Sequence, residues 1–446
     1  MIKKNTLFVL LCAVVLGGAV YYFDWKRNAA EKSPADKAKT AFSIQAPDIA
    51  SLTLARPAQK DEPAIHLEKR GDTWQIVQPI ATGADQPSVE GIVDGLASAR
   101  VNESEPSTPD RLKAYGLDLP ALSLEFQLKN GQKHTLLMGD KDFTGIYVYS
   151  IVDGAKNVSL LPESLLTSSD KPLDKLRDHT VLHLSSTHVV SFDLKNRSGE
   201  LAAAKQKAEW KFTKPIATLA DEANVNSLLG AVDSGRMVSI ASDKPDNLDK
   251  YGLAPPAIAF SAVDDAGKTA TLLIGKKEGE DYFARDPSRP VIFTINEDLH
   301  KKLSENYSDL RDRKVIHFTE AEINHIEIHN ASGVIAATRK SPDEWTADVP
   351  TAIKGKSAET WKIFGPLSGA RADEVLDHPK ADLTTKLAHP AIEVVLTDKD
   401  GKKVTVQISK QAGDFVYAQT SESHSLYKLK KQILSELNFN PSDFAL

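Results

Sequence analysis

The chain repeats one pattern three times, and this repetition constrains the fold more than any other feature of its 446 residues. Trp74, Trp210 and Trp345 stand 136 and 135 residues apart. A proline follows each tryptophan after five residues, and these prolines are Pro79, Pro215 and Pro350. A period of this length is sufficient for a folding unit with its own core. The sequence therefore predicts three related units in tandem.

A short turn is the second part of the pattern. Tyr115-Gly116-Leu117 returns as Tyr251-Gly252-Leu253, again 136 residues later. In the third unit Lys386-Leu387-Ala388 takes this place. Gly116 and Gly252 can end a one-turn helix in the left-handed conformation, which glycine adopts without a steric penalty. We therefore expect a one-turn helix after Asp110, Asp246 and Asp382, which a glycine ends in the first two units.

Helix and hairpin signals recur in step with the tryptophans. Asp85 and Asp221 are suited to cap helices whose apolar residues recur at helical spacing. These apolar residues are Val89, Ile92, Val93 and Leu96 in the first unit, and Val225, Leu228, Leu229 and Val232 in the second. Pro366 lies inside the corresponding helix of the third unit and is expected to bend or shorten it. Two-residue hairpin turns are predicted at three dipeptides, Asn130-Gly131, Ala266-Gly267 and Asp400-Gly401.

Alternating apolar and polar residues predict short antiparallel strands on both sides of each helix. The predicted fold class is α+β, with an N-terminal transmembrane helix followed by three tandem repeats of a small antiparallel-sheet plus helix domain. The predicted boundaries are 42–180 for the first repeat domain, 181–315 for the second and 316–446 for a divergent third.

The N-terminus carries an apolar run. Residues 6–23 contain no charged side chain, and an aromatic cluster ends the run. A helix of about 20 apolar residues matches the hydrocarbon thickness of a bilayer, and aromatic side chains suit the headgroup region. We expect a cytoplasmic tail at 1–5, a transmembrane anchor at 6–25 and a flexible tether at 26–41. The competing interpretation is a signal peptide that is cleaved after the small residues 17–19.

Cysteine and charge content bear on the location. Cys12 is the only cysteine, so the chain after it can form no internal disulfide. A net charge of −6 gives no basic field that would favour nucleic acid. We expect a single-pass protein of the bacterial inner membrane whose soluble domains lie in the periplasm, without a nucleic-acid partner.

Two segments resemble metal sites, and both have simpler interpretations. His325, Glu327 and His329 alternate with isoleucines, which indicates the polar face of a strand. Asp398 and Asp400 lack the glutamate that completes a calcium loop at the twelfth position, and they align with the predicted hairpin turns. The sequence contains no dinucleotide, phosphate-loop or serine-hydrolase motif. We therefore assign no catalytic, metal-binding or cofactor-binding residue.

A charged pair closes the first and the second unit. Arg177-Asp178 follows a leucine, and so does Arg311-Asp312. An arginine near a helix end can bind carbonyl groups or a carboxylate where one unit meets the next. The alternative is that each arginine binds an anionic ligand. The tryptophans have two interpretations as well, a core position or an exposed platform for a glycan or peptide.

Together, the Trp-Pro segments, the Tyr-Gly-Leu-x-x-Pro segments, the hairpins that end in Met138-Gly139 and Ile274-Gly275, and the closing Leu-Arg-Asp resemble the domain-of-unknown-function family numbered 4340. The resemblance covers nearly all of the chain after the tether. It implies a membrane-anchored α+β envelope protein, of a family often encoded near ABC transporter components of the gliding-motility auxiliary type, with no established catalytic residues. The third unit departs from the pattern, because it lacks the Tyr-Gly pair, has Ser409-Lys410 where the strand glycine would be and ends without Leu-Arg-Asp.

Two functions of different classes are compatible with these features. The leading prediction is a non-enzymatic, membrane-anchored scaffold or auxiliary protein of the envelope, acting as an accessory component of an ABC transporter system. Its motivation is a threefold duplication without a retained acid, base or nucleophile constellation. The alternative is an enzyme that acts on envelope polymers, or a ligand-binding protein, with a site that only the fold would assemble. The expected partners are the inner membrane and transporter subunits or other envelope proteins, with no cofactor.

Overall fold

The structure, a computed structural model, describes residues 39–446 of the chain. The described residues belong to two compact units, one that ends at His179 and one that spans Thr180–Leu446. Three large sheets contain most of the strands, one in the first unit and two in the second. Each large sheet lies within one of the predicted repeat ranges, so we call the three parts the first, second and third repeat.

The described part of the first unit has eleven strands. They are β1 Lys39–Thr40, β2 Ile49–Ala55, β3 Ile65–Arg70, β4 Thr73–Gln78, β5 Thr82–Gly83, β6 Arg100–Val101, β7 Ser104–Pro106, β8 Leu122–Leu128, β9 Lys133–Lys141, β10 Tyr147–Val152 and β11 Asn157–Pro162. Nine of them form one antiparallel sheet in the order β5-β4-β3-β2-β8-β9-β10-β11-β7, while β1 pairs with β6. Strands β2–β5 and strands β8–β11 each form a meander, because antiparallel neighbours can be joined by short turns. The two meanders meet at the β2–β8 pair.

Four α-helices accompany this sheet among the described residues. They are α1 Gln86–Ser98, α2 Pro109–Ala114, α3 Glu163–Ser169 and α4 Leu173–Leu176, and Ala46–Asp48 forms a 3-10 turn. Asp85 caps α1 as predicted, because its carboxylate accepts a hydrogen bond from the Ser88 N–H at 3.0 Å. The predicted apolar face of α1 is buried and packs in one core with the strands that carry Trp74 and Leu124.

The first sheet of the second unit has the same topology. Its strands are β12 Val189–Asn196, β13 Gly199–Gln206, β14 Glu209–Lys214, β15 Thr218–Leu219, β16 Ser239–Ser242, β17 Ile258–Asp264, β18 Thr269–Glu278, β19 Asp281–Arg285 and β20 Ile292–Ile295. Their order, β15-β14-β13-β12-β17-β18-β19-β20-β16, matches that of the first unit strand for strand. The central β12–β17 pair joins the two meanders and contributes Phe192, Leu194 and Phe260 to the core.

The second sheet of this unit has eight strands. They are β21 Ile323–Asn330, β22 Gly333–Ser341, β23 Glu344–Val349, β24 Glu374–Leu376, β25 Ile392–Asp398, β26 Lys403–Ile408, β27 Phe415–Thr420 and β28 Leu426–Lys430. The order β23-β22-β21-β25-β26-β27-β28-β24 has no counterpart of the short edge strands β5 and β15 among the described residues. A 3-10 turn, Thr351–Ile353, follows β23 instead. The third repeat therefore has the same central sheet with a different edge.

Seven α-helices are described in the second unit. They are α5 Glu222–Asp233, α6 Glu297–Leu303, α7 Tyr307–Leu310, α8 Trp361–Gly369, α9 Ala381–Thr384, α10 Gln432–Leu437 and α11 Pro441–Phe444, with further 3-10 turns at Ser186–His188, Asp249–Tyr251, Glu320–Glu322 and Thr385–Leu387. Asp221 caps α5 through the Asn224 N–H at 3.1 Å, and the predicted apolar face of α5 is buried. Helix α8 has nine residues against twelve in α5 and contains Pro366, which confirms the predicted shortening.

The three predicted hairpin turns are present, but each loop is longer than predicted. Gly131, Gly267 and Gly401 have φ angles of +88°, +80° and +82°. In the first hairpin the Leu128 N–H donates to the Gln132 carbonyl at 2.8 Å, which encloses three residues instead of two. A glycine in the left-handed conformation at the end of a three-residue loop is a common alternative to the two-residue turn. The dipeptides therefore predicted the position of each turn and not its length.

The predicted fold class is wrong for the part of the chain that the structure describes. Strands make up 43% of it and helices 23%, and the strand pairs of the large sheets are antiparallel, so the architecture is mainly β. The physical reason is the central strand pair of each repeat. It merges two predicted small meanders into one large sheet, and the helices only cover that sheet.

The predicted transmembrane helix is the second part of this correction. No helix among residues 39–446 is long and apolar enough to cross a membrane. The predicted tail at 1–5, the predicted anchor at 6–25 and most of the predicted tether at 26–41 lie outside the described residues.

Candidate functional site

All three repeated tryptophans lie in the core of their repeats. Trp74, Trp210 and Trp345 occupy the equivalent strands β4, β14 and β23, and their exposed fractions are 1%, 1% and 5%. A basic side chain lies over each ring at 4.6–5.9 Å from the centroid, and these are Lys69, Lys205 and Arg339. The peptide bond before the proline that follows each tryptophan is cis, which the sequence did not predict. Because a buried ring cannot stack on a sugar or a peptide, the tryptophans contribute packing.

The Tyr-Gly-Leu turns pack against a glycine of the following hairpin. In the second repeat Gly252 has the predicted left-handed conformation, with a φ of +68°. The turn brings the Tyr251 carbonyl so close to Gly275 that a Cβ atom there would lie 2.1 Å from the carbonyl oxygen. Gly116, with a φ of +64°, and Gly139 repeat this arrangement with the same 2.1 Å approach. Only glycine allows such an approach, so the turn and the strand glycine form one structural feature.

The two tyrosines of these turns have different surroundings. Tyr251 is buried, and its ring centroid lies 5.0 Å from that of Phe283. Tyr115 stacks on Tyr149 with ring centroids 3.8 Å apart, and its hydroxyl donates to Glu105 at 2.6 Å. This hydrogen bond to a carboxylate raises the pKa of Tyr115, because it favours the protonated phenol. In both repeats the tyrosine anchors the turn through its ring.

The third repeat lacks both parts of the turn–glycine contact. Its 3-10 turn Thr385–Leu387 is followed by Ala388 at a φ of −59°, in the right-handed region. Ser409 replaces the strand glycine and is fully buried. The Ser409 hydroxyl accepts a hydrogen bond from the Tyr417 N–H at 3.0 Å and donates to the Lys410 carbonyl at 2.8 Å. The side chain at this position is held by these two hydrogen bonds.

The closing Leu-Arg-Asp segment pairs with the residues that precede the long helix of its own repeat. We call this helix, which is α1, α5 or α8, the main helix. In the second repeat the Asp221 N–H donates to the Leu310 carbonyl at 2.8 Å, and the Asp312 N–H donates to the Leu219 carbonyl at 3.0 Å. The first repeat makes the same two bonds at 2.8 and 2.9 Å. These bonds tie the end of each repeat to the N-terminus of its main helix.

The third repeat has this closure without the charged pair. The Glu359 N–H donates to the Phe444 carbonyl at 2.7 Å, and Ala358 pairs with Ala445. Phe444, Ala445 and Leu446 therefore occupy the positions of Leu-Arg-Asp. Backbone pairing and a buried apolar side chain close the repeat, so the charged side chains of the second repeat have a different role.

Arg311 joins the second repeat to the third. Its guanidinium lies 2.6 Å from the Asp377 carboxylate that follows β24, and the two side chains are 4% and 16% exposed. Ser425 donates a further hydrogen bond to Asp377 at 2.9 Å. The guanidinium also lies 5.1 Å from the ring centroid of Tyr307, and burial raises the pKa of Tyr307 to about 12. Removing one partner of a buried ion pair costs about 3–5 kcal/mol, so Arg311 has a large effect on this junction.

Asp312 forms a second charged contact at the same junction. Its carboxylate accepts a hydrogen bond from the Lys314 N–H at 3.0 Å and pairs with the His317 imidazole. Burial acts to raise the pKa of Asp312, but the hydrogen bonds from His317 and Lys314 outweigh it and hold the pKa below its ordinary value. Asp312 lines a small cleft together with Arg371 of the third repeat. Arg371 pairs there with Asp221, which caps helix α5 of the second repeat. Arg311 and Arg371, the arginines that an anionic ligand would need, are thus already paired with carboxylates of the protein.

Recurring arginines are more numerous than the sequence interpretation recognised. Arg177, at the position of Arg311, is also buried, and its backbone pairs with Ala84. A further series follows the main helix of each repeat with the period of the tryptophans: Arg100, Arg236 and Arg371. Arg236 donates to the Thr180 hydroxyl at 2.6 Å. The spacing of the tryptophans would have identified this series in the sequence. Its third member, Arg371, is the arginine that pairs with Asp221.

The histidine-rich segment is a strand with a polar face, as predicted. Ile326 and Ile328 of β21 are fully buried, whereas His325, Glu327 and His329 lie on the opposite, partly exposed face. His329 pairs with Glu327. Within residues 39–446 no group of three His, Cys, Asp or Glu side chains is placed to hold a metal ion.

An open groove lies in the third repeat between α8 and α10. Its volume is about 880 Å³, and Ile433 and Phe439 form part of its apolar lining. Trp361, which is 64% exposed, stands at its edge. Asp443 also lines the groove, but its carboxylate already accepts the Asn440 N–H in a helix cap at 3.2 Å. Arg371 of the recurring arginine series also lines this groove, whereas the repeated tryptophan Trp345 and the turn Thr385–Leu387 do not.

The sequence matches the family described as domain of unknown function (DUF4340) over residues 74–209 and 210–387. The chain belongs to the DUF4340 family. Both matched segments begin at a repeated tryptophan, Trp74 or Trp210, and therefore inside a sheet, at β4 or β14. The DUF4340 match has the period of the structural repeat, but its boundaries are shifted along the chain. A comparison with curated proteins found no match.

Proposed function

We propose that this DUF4340 protein is a non-enzymatic scaffold of the bacterial envelope, whose coupled repeats present surfaces to partner proteins. The observation that carries the proposal is the Arg311–Asp377 ion pair at 2.6 Å, in which a recurring charged residue couples one repeat to the next. The tryptophans and the turn glycines support it, because they serve the core and the turns. Repeats that are coupled through their neighbours form extended binding surfaces in other proteins.

We further propose that the third repeat is a diverged copy of the DUF4340 unit. Its strand order, which differs from that of the other two sheets by one edge strand, supports this proposal. The backbone pairing of Phe444–Leu446 with the residues before α8 supports it as well.

The proposed partners are ABC transporter subunits or other envelope proteins, and the proposed location is the bacterial inner membrane with the repeats in the periplasm. The uncharged run at 6–23 and the single cysteine, Cys12, support this location. An alkaline phosphatase fusion to the C-terminus tests it, because that enzyme is active only after export. An expressed but inactive fusion would contradict a periplasmic location.

Co-purification tests the scaffold role. The full-length protein, solubilised in detergent from its native membranes, is expected to bring ABC transporter subunits in a fixed ratio. Arg311→Gln, which breaks the junction of the second and third repeats, should reduce their yield. Arg313→Gln is the matched control, because the one side-chain hydrogen bond of Arg313 within residues 39–446 goes to a backbone carbonyl at 3.4 Å. Hydrolysis of peptidoglycan by the purified wild-type protein would overturn the proposal and favour the enzyme alternative.

A further inference from the structure

The β9–β10 hairpin of the first repeat ends in an exposed apolar loop. Phe143 is 98% exposed and Ile146 is 62% exposed, and we call residues 143–146 the apolar tip. The tip lies between Asp142 and Tyr147, which are joined by a backbone hydrogen bond at 2.9 Å. Contiguous exposed apolar surface is a mark of interaction sites, whereas single scattered apolar side chains are normal on protein surfaces. The tip is therefore a candidate contact surface.

Hydrogen bonds hold the tip in one conformation. Asp142 is buried, and its carboxylate accepts bonds from the Tyr147 N–H at 3.0 Å and the Thr144 hydroxyl at 2.7 Å. The Asp142 carbonyl accepts the Gly145 N–H at 3.0 Å, and Gly145 has a φ of +72°, which glycine adopts readily. A loop that is already ordered loses little conformational entropy when it binds. Phe143 is thus presented in a preorganised position.

The other two repeats show the same hairpin without an apolar tip. In the second repeat the loop is Gly279-Glu280, and in the third it is Gly413-Asp414. Glu280 and Asp414 follow the loop glycine where the first repeat has Ile146. The first repeat also has two additional loop residues, one of which is Phe143. Because the hairpin forms in the other repeats with a short charged loop, the apolar side chains are not needed to form the hairpin.

Exposed carboxylates lie on β9 before the tip and in the segment after the turn that contacts β9. Asp140 and Asp118 are exposed, and the Asp140 N–H donates at 2.9 Å to the Tyr-Gly-Leu turn that leads to Asp118. Leu119 in the same segment is 50% exposed. Lys141, the adjacent basic residue, is already paired with Glu163 at 2.7 Å. An apolar centre with carboxylates beside it complements an apolar pocket with a basic rim.

We propose that the apolar tip docks into an apolar, basic-rimmed pocket of a partner protein. The inference rests on the proposed scaffold function and names the surface and the partner chemistry. Phe143 is the anchor, because a few aromatic side chains supply most of the binding energy of protein interfaces. The carboxylates of Asp118 and Asp140 orient the partner. They also disfavour an anionic bilayer and the tip of a second copy, since both present negative charge.

Photo-crosslinking in the native host tests the docking site in the full-length protein. Phe143→p-benzoylphenylalanine is expected to give one discrete protein adduct on irradiation. Glu280→p-benzoylphenylalanine, in the equivalent loop of the second repeat, is the matched control and should give none. Adding Ile146→Asp to the first variant should lower the adduct yield roughly tenfold, as for an interface hot spot, whereas Ile146→Val should leave it unchanged.

Several outcomes would overturn the docking site. These are equal adducts from both positions, an adduct only with a second copy or with lipid, and a crosslinked partner peptide whose neighbouring surface is acidic. Because Ile146 is exposed, Ile146→Asp should leave the melting temperature unchanged, and an undiminished adduct yield from this variant would overturn the docking site. If position 143 gives no adduct while transporter subunits still co-purify, the docking site fails and the scaffold role stands. If both signals are lost, the scaffold role fails as well.

Discussion

Gly275 shows at the scale of a single residue why parts of the repeat recur. It faces the Tyr251 carbonyl across a gap that leaves no room for a Cβ atom. Ser409 occupies the same strand position in the third repeat, where the Tyr-Gly turn is absent. The glycine and the turn therefore depend on each other.

Gly275→Ala is expected to destabilise the second repeat by about 3 kcal/mol, at the upper end of the cost of overpacking. The new Cβ would have to displace the Tyr251 carbonyl, which it would otherwise approach to 2.1 Å. Urea unfolding of the purified protein measures this change. Gly230→Ala is the control, because a Cβ there meets nothing within 4 Å and alanine favours a helix, so stability should stay equal or rise. Equal stability of Gly275→Ala and the wild type would contradict the close approach.

Tyr307 predicts a pH dependence of stability. Burial raises its pKa from 10.0 to about 12 in the folded protein. The contribution of the protonated phenol to folding stability is therefore fully present below about pH 10, the pKa of an exposed tyrosine. This contribution is lost as the pH rises through about 12. Urea midpoints measured from pH 9 to pH 12 should fall more steeply for the wild type than for Tyr307→Phe. Parallel curves for the two proteins would show that this hydroxyl titrates normally.

Helix α8 shows at the scale of an element how a repeat can diverge without losing its sheet. It is three residues shorter than α5 and contains Pro366, yet Ile363, Phe364 and Leu367 remain buried. The helix therefore keeps its contacts with the sheet although a proline removes one backbone N–H from its interior. The open groove beside it lies along this altered helix.

Pro366→Ala is expected to stabilise the third repeat by about 1–3 kcal/mol, because it restores an N–H donor and a residue with a high helix propensity. Ala231→Pro makes the reverse change at the equivalent position of α5 and should destabilise the second repeat by about 3 kcal/mol. Urea unfolding followed by circular dichroism at 222 nm measures both changes. A loss of stability in Pro366→Ala would mean that the third repeat requires the proline.

Local elements could be predicted from the sequence, and their assembly could not. The cap at Asp85, the turn at Asn130-Gly131 and the faces of β21 depend on residues close together in the chain, so their signals are readable. The β2–β8 pairing joins segments that are far apart in the sequence, and no local signal specifies it. For this reason the sequence predicted small sheets where the structure has large ones.

At the scale of the whole molecule, the charged junction of the second and third repeats is the main feature of the second unit. The sequence identified Arg311 and Asp312 through their recurrence, but it did not identify their partners. Asp377 and Arg371 lie in the next repeat, and their contacts with Arg311 and Asp221 depend on how the repeats pack. Recurrence therefore predicts which residues are structurally important. Only the fold reveals that Arg311 and Arg371 join the second repeat to the third.

A double-mutant cycle on Arg311 and Asp377 tests the central claim most directly, which is that a recurring charged residue couples the second repeat to the third. Arg311→Gln and Asp377→Asn should each lower the free energy of unfolding by about 3 kcal/mol, because each leaves a buried charge without its partner. The double variant should cost about as much as either single variant, which corresponds to a coupling energy of at least about 2 kcal/mol. Urea unfolding of the four proteins supplies these values. Small, additive effects would contradict the claim and favour the alternative that Arg311 binds an anionic ligand.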